Sequence, residues 1–174
     1  MKCSVFVGTS LDGFIARRDG ALDFLPADGG EPHGYNEFIS TIDVIVIGRK
    51  TFDTVLSFPE WPYGKKQVIV LSKGKLDFAR FPESVIEQMS GDPAEIVRIL
   101  EHRGFRHAYV DGGVTVQAFL RAGLIQRLTI TRVPVLIGEG IPLSGGLDRD
   151  IKLRHISTRA YATGLVKSEY EVLP

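Results

Sequence analysis

Two glycine-marked corners carry the residue types that could hold a phosphorylated ligand. The first is Gly48-Arg49-Lys50-Thr51, which follows the β-branched run Val44-Ile45-Val46-Ile47 and precedes Phe52, Val55 and Leu56 at helical spacing. A strand, a glycine and a helix start leave unpaired backbone N–H groups at a sheet edge, with the positive end of the helix dipole beside them. Arg49 and Lys50 add full charges, and the Thr51 hydroxyl can donate to a phosphate oxygen. The second corner is Gly112-Gly113-Val114-Thr115, after the run Ala108-Tyr109-Val110-Asp111. Paired glycines let a backbone approach a ligand with no Cβ in the way. Ser72-Lys73 closes a third apolar run, Gln67 to Leu71. Three such ends fit a ligand with two separated phosphate groups, for which a dinucleotide is the natural candidate. Each corner also has a plainer reading: a solvated strand-to-helix turn for the first, close strand–helix packing for the second.

Ligands in open α/β sheets gather at the carboxyl ends of the strands, so the elements around these corners matter. Cys3 to Gly8 reads as a first strand, Thr9 to Gly13 as a turn, and Phe14-Ile15-Ala16 as a further extended path. Arg17 to Gly34 is rich in Gly, Pro and Asp but holds Leu22, Phe24 and Leu25, which suggests an ordered loop. Tyr35 to Ile42 predicts a short amphipathic helix before the central strand. A short strand is expected around Val85-Ile86. Asp92-Pro93 supplies an N-cap and first-turn proline for a helix with Ile96, Ile99 and Leu100 on one face, stopped by Gly104. Val114 to Leu124 predicts another helix. Strand spacing runs from Arg127 to Ile137, with Pro134 implying an edge or bulge, and Gly138 to Gly146 reads as loop. Ile151 to Tyr161 and Leu165 to Val172 predict a hairpin turning at Ala162-Thr163-Gly164. The expected class is α/β in one domain spanning 1–174: a mainly parallel sheet with a C-terminal antiparallel hairpin.

Composition narrows the function classes. The 174 residues carry 21 basic and 21 acidic side chains, so no global field recruits nucleic acid or an anionic membrane. The single cysteine, Cys3, excludes an internal disulfide and a CxxC metal knuckle. His33, His102, His107 and His155 lack metal-ligand spacing, so no metal is expected. Gly8 and Gly13 have P-loop spacing, but Phe14 stands where lysine is required. Gly138-Glu139-Gly140 continues Ile141-Pro142-Leu143 and fails the Rossmann triplet. No apolar stretch approaches membrane-spanning length, and the amino terminus lacks a signal-peptide pattern, so a cytoplasmic protein is expected.

Five motifs occur in order: Ser10-Leu11-Asp12-Gly13-Phe14-Ile15-Ala16, Val46-Ile47-Gly48-Arg49-Lys50-Thr51, Val70-Leu71-Ser72, Asp111-Gly112-Gly113, and Pro134-Val135-Leu136-Ile137-Gly138-Glu139-Gly140. Together they resemble the dihydrofolate reductase superfamily, most nearly the branch containing the reductase domain of bacterial riboflavin biosynthesis (RibD C-terminal-like proteins). The resemblance spans nearly the whole chain and implies a three-layer fold and an NADPH-binding reductase of a small heterocyclic substrate. By that resemblance Gly48 to Thr51 hold the cofactor phosphates, with Arg49 and Lys50 near the 2′-phosphate. Leu71, Ser72 and Lys73 flank the adenosine, and Gly112, Gly113, Val114, Thr115 and Val116 cover the pyrophosphate. Ile15 and Ala16 border the nicotinamide. The resemblance also implies a cis peptide at Gly112-Gly113, and a homodimer through the antiparallel edge.

The substrate half departs from the pattern. Dihydrofolate reductases place a carboxylate at the start of the helix before the central strand, whereas here Glu31-Pro32-His33-Gly34-Tyr35-Asn36-Glu37 has no clean equivalent. This argues against folate as substrate. Asp12, after the first strand, is one candidate for proton handling, with a turn-forming Asp-Gly step as its competing reading. Glu37 is the other candidate. Reduction of a C=N or C=O bond is the expected activity; a nucleotide-binding module without turnover is the alternative.

Overall fold

Four consecutive residues, Val44 to Ile47, are inaccessible to solvent, which requires apolar cover on both faces and a strand on each side. The computed structural model, which describes residues 1–26, 33–79, 81 and 85–174, provides both. Strand β3 (Val44–Gly48) lies in an eight-stranded sheet with β1 (Lys2–Thr9), β4 (Gln67–Leu71), β5 (Ile86–Met89), β6 (His107–Asp111), β7 (Arg127–Arg132), β9 (Leu153–Ala160) and β10 (Val166–Val172). The order is β5-β4-β3-β6-β1-β7-β10-β9. Neighbours from β5 to β7 pair in parallel, and β10 runs antiparallel to both β7 and β9. A separate ribbon pairs β2 (Phe14–Ala16) with β8 (Ile141–Pro142).

Alternation along the strands sends side chains to two cores. Cys3, Val5, Val44, Val46 and Ile69 pack against Ile96 and Leu100 of α3 (Pro93–His102) and Val116, Phe119 and Leu120 of α4 (Gly113–Arg121). Ile45, Ile47, Val68, Val70 and Tyr109 face the other way, onto Phe38 and Ile39 of α1 (Tyr35–Ser40) and Phe52 and Val55 of α2 (Arg49–Val55). Two helical layers thus enclose the sheet. The Asp92 carboxylate accepts the Glu95 N–H at 3.0 Å, a cap of about 1 kcal/mol. Cys3 is fully buried, and burial raises its thiol pKa to about 11, so it serves as a small hydrophobe.

Several element boundaries differ from the sequence reading. Strand β7 stops at Arg132 rather than Ile137, because Pro134 has no N–H to give a ladder. The loop after Gly138 contains β8, and Phe14–Ala16 joins that ribbon instead of the main sheet. Helix α1 ends at Ser40, and α4 begins one residue early and ends at Arg121. Residues 27–32 of the expected loop, with Glu31 and Pro32, and residues 82–84 before β5 lie outside the described residues.

Candidate functional site

The two glycine corners interlock. Adjacent strands bring Gly48 beside Leu71 and Ile47 beside Asp111. A Cβ on Gly48 would stand 2.6 Å from Thr115 Oγ1, and one on Gly112 would collide with Thr51 Oγ1. Each helix therefore sends a threonine into the space left by the other corner's glycine. Gly112 has φ of 93°, a conformation that side chains resist. A Cβ on Gly113 would lie 2.5 Å from Ile141 Cγ2 and 3.2 Å from Ile15 Cδ1, so the ribbon closes over the same corner. The Gly112–Gly113 peptide is trans, unlike the cis form implied by the resemblance.

Around this junction, Arg49 and Lys50 are exposed, and Arg49 pairs with Asp53 at 3.2 Å on its own helix. Arg49 Nη1 lies 3.9 Å from where a Gly74 Cβ would stand, so it spans toward the end of β4. There Ser72 Oγ donates to the Gly74 carbonyl at 2.8 Å, and Gln88 Nε2 donates to the Ser72 carbonyl at 3.0 Å, giving the turn a fixed shape. Lys73 is exposed. Val114 is 69% exposed although it begins a helix of the core. Thr115 and Val116 are buried, and Ala16 is buried next to the half-buried Ile15 on the ribbon. The structure thus gathers Gly48, Thr51, Gly112, Gly113, Thr115 and Ile15 at one junction, with Arg49 and Ser72 on its β4 side.

Of the two carboxylates expected to handle protons, Asp12 is engaged in a turn. Asp12 is exposed in the turn after β1, and its carboxylate accepts the Gly138 N–H at 2.7 Å and the Ile137 N–H at 3.3 Å. A hydrogen bond from Ser10, aided by those two N–H groups, holds its pKa below the ordinary carboxylate value, opposite to what a proton donor needs. Its turn-forming role is the one the geometry describes. Glu37 is exposed on α1.

The sequence reading missed Asp111. It ends β6, and its Oδ1 accepts the Gly112 N–H at 2.8 Å. Desolvation raises its pKa, while Gly112, Tyr109 and Tyr63 partly offset that rise. Burial, with the nearby Asp111 charge as a lesser cause, raises the Tyr35 phenol to about 12 and pushes those of Tyr63 and Tyr109 upward too. Tyr109 donates to the Phe6 carbonyl at 2.9 Å, and Tyr35 stands edge-on to both Phe6 and Tyr109. Asp111 is therefore a partly buried carboxyl set among three tyrosines, one residue before the glycine pair. The available signal was an acid ending an apolar strand, two residues after a tyrosine on the same face.

The family model for the RibD C-terminal domain matches residues 2–167. The chain belongs to this family. The chain is similar to YwjB of Bacillus subtilis, 33% identical over 92% of this chain and 92% of that protein. A solved Shewanella sp. PV-4 structure, of a protein proposed to serve riboflavin biosynthesis, covers 100% of both chains at 36% identity with a TM-score of 0.91. The fold alone is shared with Enterococcus faecalis dihydrofolate reductase complexed with NADP(H): TM-score 0.64 at 16% identity, over 98% of this chain and 94% of that one. The three-layer, mostly parallel sheet with antiparallel C-terminal strands is thus a dihydrofolate-reductase-like fold. No helix among the described residues is long and apolar enough to cross a membrane.

Proposed function

We propose that the chain is an NADPH-dependent reductase acting on a C=N or C=O bond of a small pterin- or pyrimidine-like heterocycle. The observation that carries this reading is Asp111, a carboxyl kept protonatable by its surroundings at the edge of a glycine-lined dinucleotide cradle. The bound nicotinamide would supply the hydride. This chain's residues do the rest. The backbone at Gly48, Gly112 and Gly113 would meet the pyrophosphate, with Thr51 and Thr115 packed against the glycines to fix the two corners. Arg49, with Lys50, faces the 2′-phosphate, and Leu71, Ser72 and Lys73 flank the adenosine. Val114 and Val116 belong to the pyrophosphate side, and Ile15 and Ala16 border the nicotinamide. Asp111 holds the proton that completes reduction at the atom the hydride does not reach.

Titration with NADPH, followed by an oxidation screen over pterins, pyrimidinones and quinones, tests the proposal. Tight binding without turnover on any of them would favour a nucleotide-binding module instead. Arg49→Ala should weaken NADPH by roughly 1.5–3 kcal/mol, one lost charged hydrogen bond, and barely change NADH. Equal losses for both cofactors would contradict the placement of Arg49. The reading also takes the protein to be cytoplasmic, with a small-molecule substrate and neither nucleic acid nor membrane as partner.

A homodimer through the antiparallel edge belongs to the same proposal. All eight residues of β9 are exposed, Leu153 and Ile156 among them, and β9 has a strand on one side only. Such an edge is ordinarily paired or covered. Sedimentation at micromolar concentration should give a dimer; a monomer would remove this assembly.

A further inference from the structure

Asp111 owes its setting to a turn far from its own strand. Among the described residues, the titratable groups facing it are Tyr109 on β6, Tyr35 on α1, and Tyr63 between α2 and β4. Directly paired residues share a face, so Asp111 looks the same way as its partner Ile47. Ile47, Tyr109 and Tyr63 belong to one buried cluster on that side of the sheet. Tyr63 is 6% exposed, whereas Pro62, Gly64 and Lys65 around it are exposed. The turn thus lies on the surface and sends a single side chain inward. Its path is fixed at both ends. The Lys66 N–H donates to the Tyr63 carbonyl at 3.1 Å, and Lys66 Nζ donates to the Ile42 carbonyl at 2.6 Å, just before β3. Trp61 meets the Tyr63 ring edge-on at 5.2 Å and itself packs on Phe81 at 4.7 Å.

Packing alone does not explain a tyrosine here. The same cluster is filled by Phe38, Phe52, Phe78 and Phe81, and a buried hydroxyl is costly unless it is bonded. The Tyr63 hydroxyl hydrogen-bonds the Asp111 carboxyl, whose Oδ1 already accepts the Gly112 N–H at 2.8 Å. Tyr109 also reaches Asp111, but its one proton is directed at the Phe6 carbonyl at 2.9 Å. Tyr63 is the phenol left to donate. We infer that Tyr63 is the positioning residue for Asp111, holding the carboxyl in place and governing how firmly it keeps its proton. The inference rests on the reductase reading. Burial pushes the Tyr63 phenol far above its ordinary value, so it acts as a donor and not as a proton source. A donated bond favours the ionised carboxyl over the neutral one, because the charged acceptor is the stronger. Desolvation alone would leave Asp111 an acid too weak to release its proton; Tyr63 draws it back toward a useful range.

Tyr63→Phe keeps the ring and removes the hydroxyl. Carboxyl carbon NMR, with the Asp111 signal assigned from Asp111→Asn, should show the Asp111 titration midpoint moving to higher pH in this variant. The alkaline limb of kcat should move the same way. Turnover on the plateau should fall roughly tenfold, as a weaker and less well held acid delivers its proton, with KM for substrate and cofactor within about threefold. In the Asp111→Asn background the same substitution should cost no further turnover. A hydroxyl that serves the core alone would lower the melting temperature in both backgrounds and leave the titration where it was. Should Tyr63→Phe fail to fold, Trp61→Leu keeps the hydroxyl, removes the ring packed against it, and should move the midpoint in the same direction. The inference is overturned if the midpoint does not move in the folded variant, or if the turnover losses of Tyr63→Phe and Asp111→Asn add. A midpoint that moves in a protein that reduces none of the screened substrates retires the reductase reading and leaves Tyr63 governing the Asp111 proton.

Discussion

Asp111→Asn should lower turnover by roughly two to four orders of magnitude, the range for loss of a positioned general acid. Asparagine keeps an oxygen to accept the Gly112 N–H, so the corner holds its shape and NADPH affinity should stay within about threefold. The pH dependence carries a sign. Desolvation raises the Asp111 pKa, so the proton it must donate is present at low pH and lost as pH rises through that value. Turnover should fall on the alkaline side in the native protein, and this limb should vanish in the asparagine variant. The same shift acts on stability: the unfolded chain gives up this proton at lower pH, so the folded state loses stability as pH climbs between the two values. Unchanged turnover, with the alkaline limb intact, would mean that water delivers the proton and Asp111 is structural.

Gly112→Ala should destabilise the fold by roughly 2–4 kcal/mol. Alanine at φ of 93° costs about 1–3 kcal/mol in backbone strain, and its methyl would occupy the position of Thr51 Oγ1. For a chain of this size the melting temperature should drop by roughly 4–16 °C. Adding Thr51→Ala should recover the steric part and leave the strain, so the pair should couple rather than add. An alanine variant that melts with the native protein would show that the two corners do not interlock as described.

Much of this site could be read from residue order. The glycine after Val44 to Ile47 and the pair after Val110-Asp111 mark strand ends, because backbone freedom and apolar runs are local properties. Their interlocking could not be read. It depends on β6 lying next to β3, a pairing between segments some sixty residues apart. Asp12 looked like an acid near the cofactor because turn chemistry and catalysis use the same residue. Only the Ile137 and Gly138 N–H groups, brought in from the far end of the chain, decide between them. Asp111 is hard to read for the opposite reason: its raised pKa comes from desolvation under chain that includes Tyr35 and Tyr63, distant in sequence, which residue spacing does not encode. The sequence overstates the length of β7 because its apolar alternation continues past Arg132 into irregular chain, where Val133 still packs on Tyr161 and Leu165.

The position of β6 bears on how the molecule comes together. It lies between β1 and β3 but follows both in the chain, at residues 107–111. Until it enters, β1 and β3 stand two strand spacings apart, roughly 10 Å, with no ladder joining them. The strand that closes this gap also ends in Asp111 and leads into Gly112 and Gly113. A chain with its sheet still open therefore has neither the glycine corner after β6 nor the partly buried acid, however well β3 to β5 have paired. Recognition and sheet closure are then a single equilibrium, and any ligand of the cradle holds together the whole molecule rather than one lobe of it.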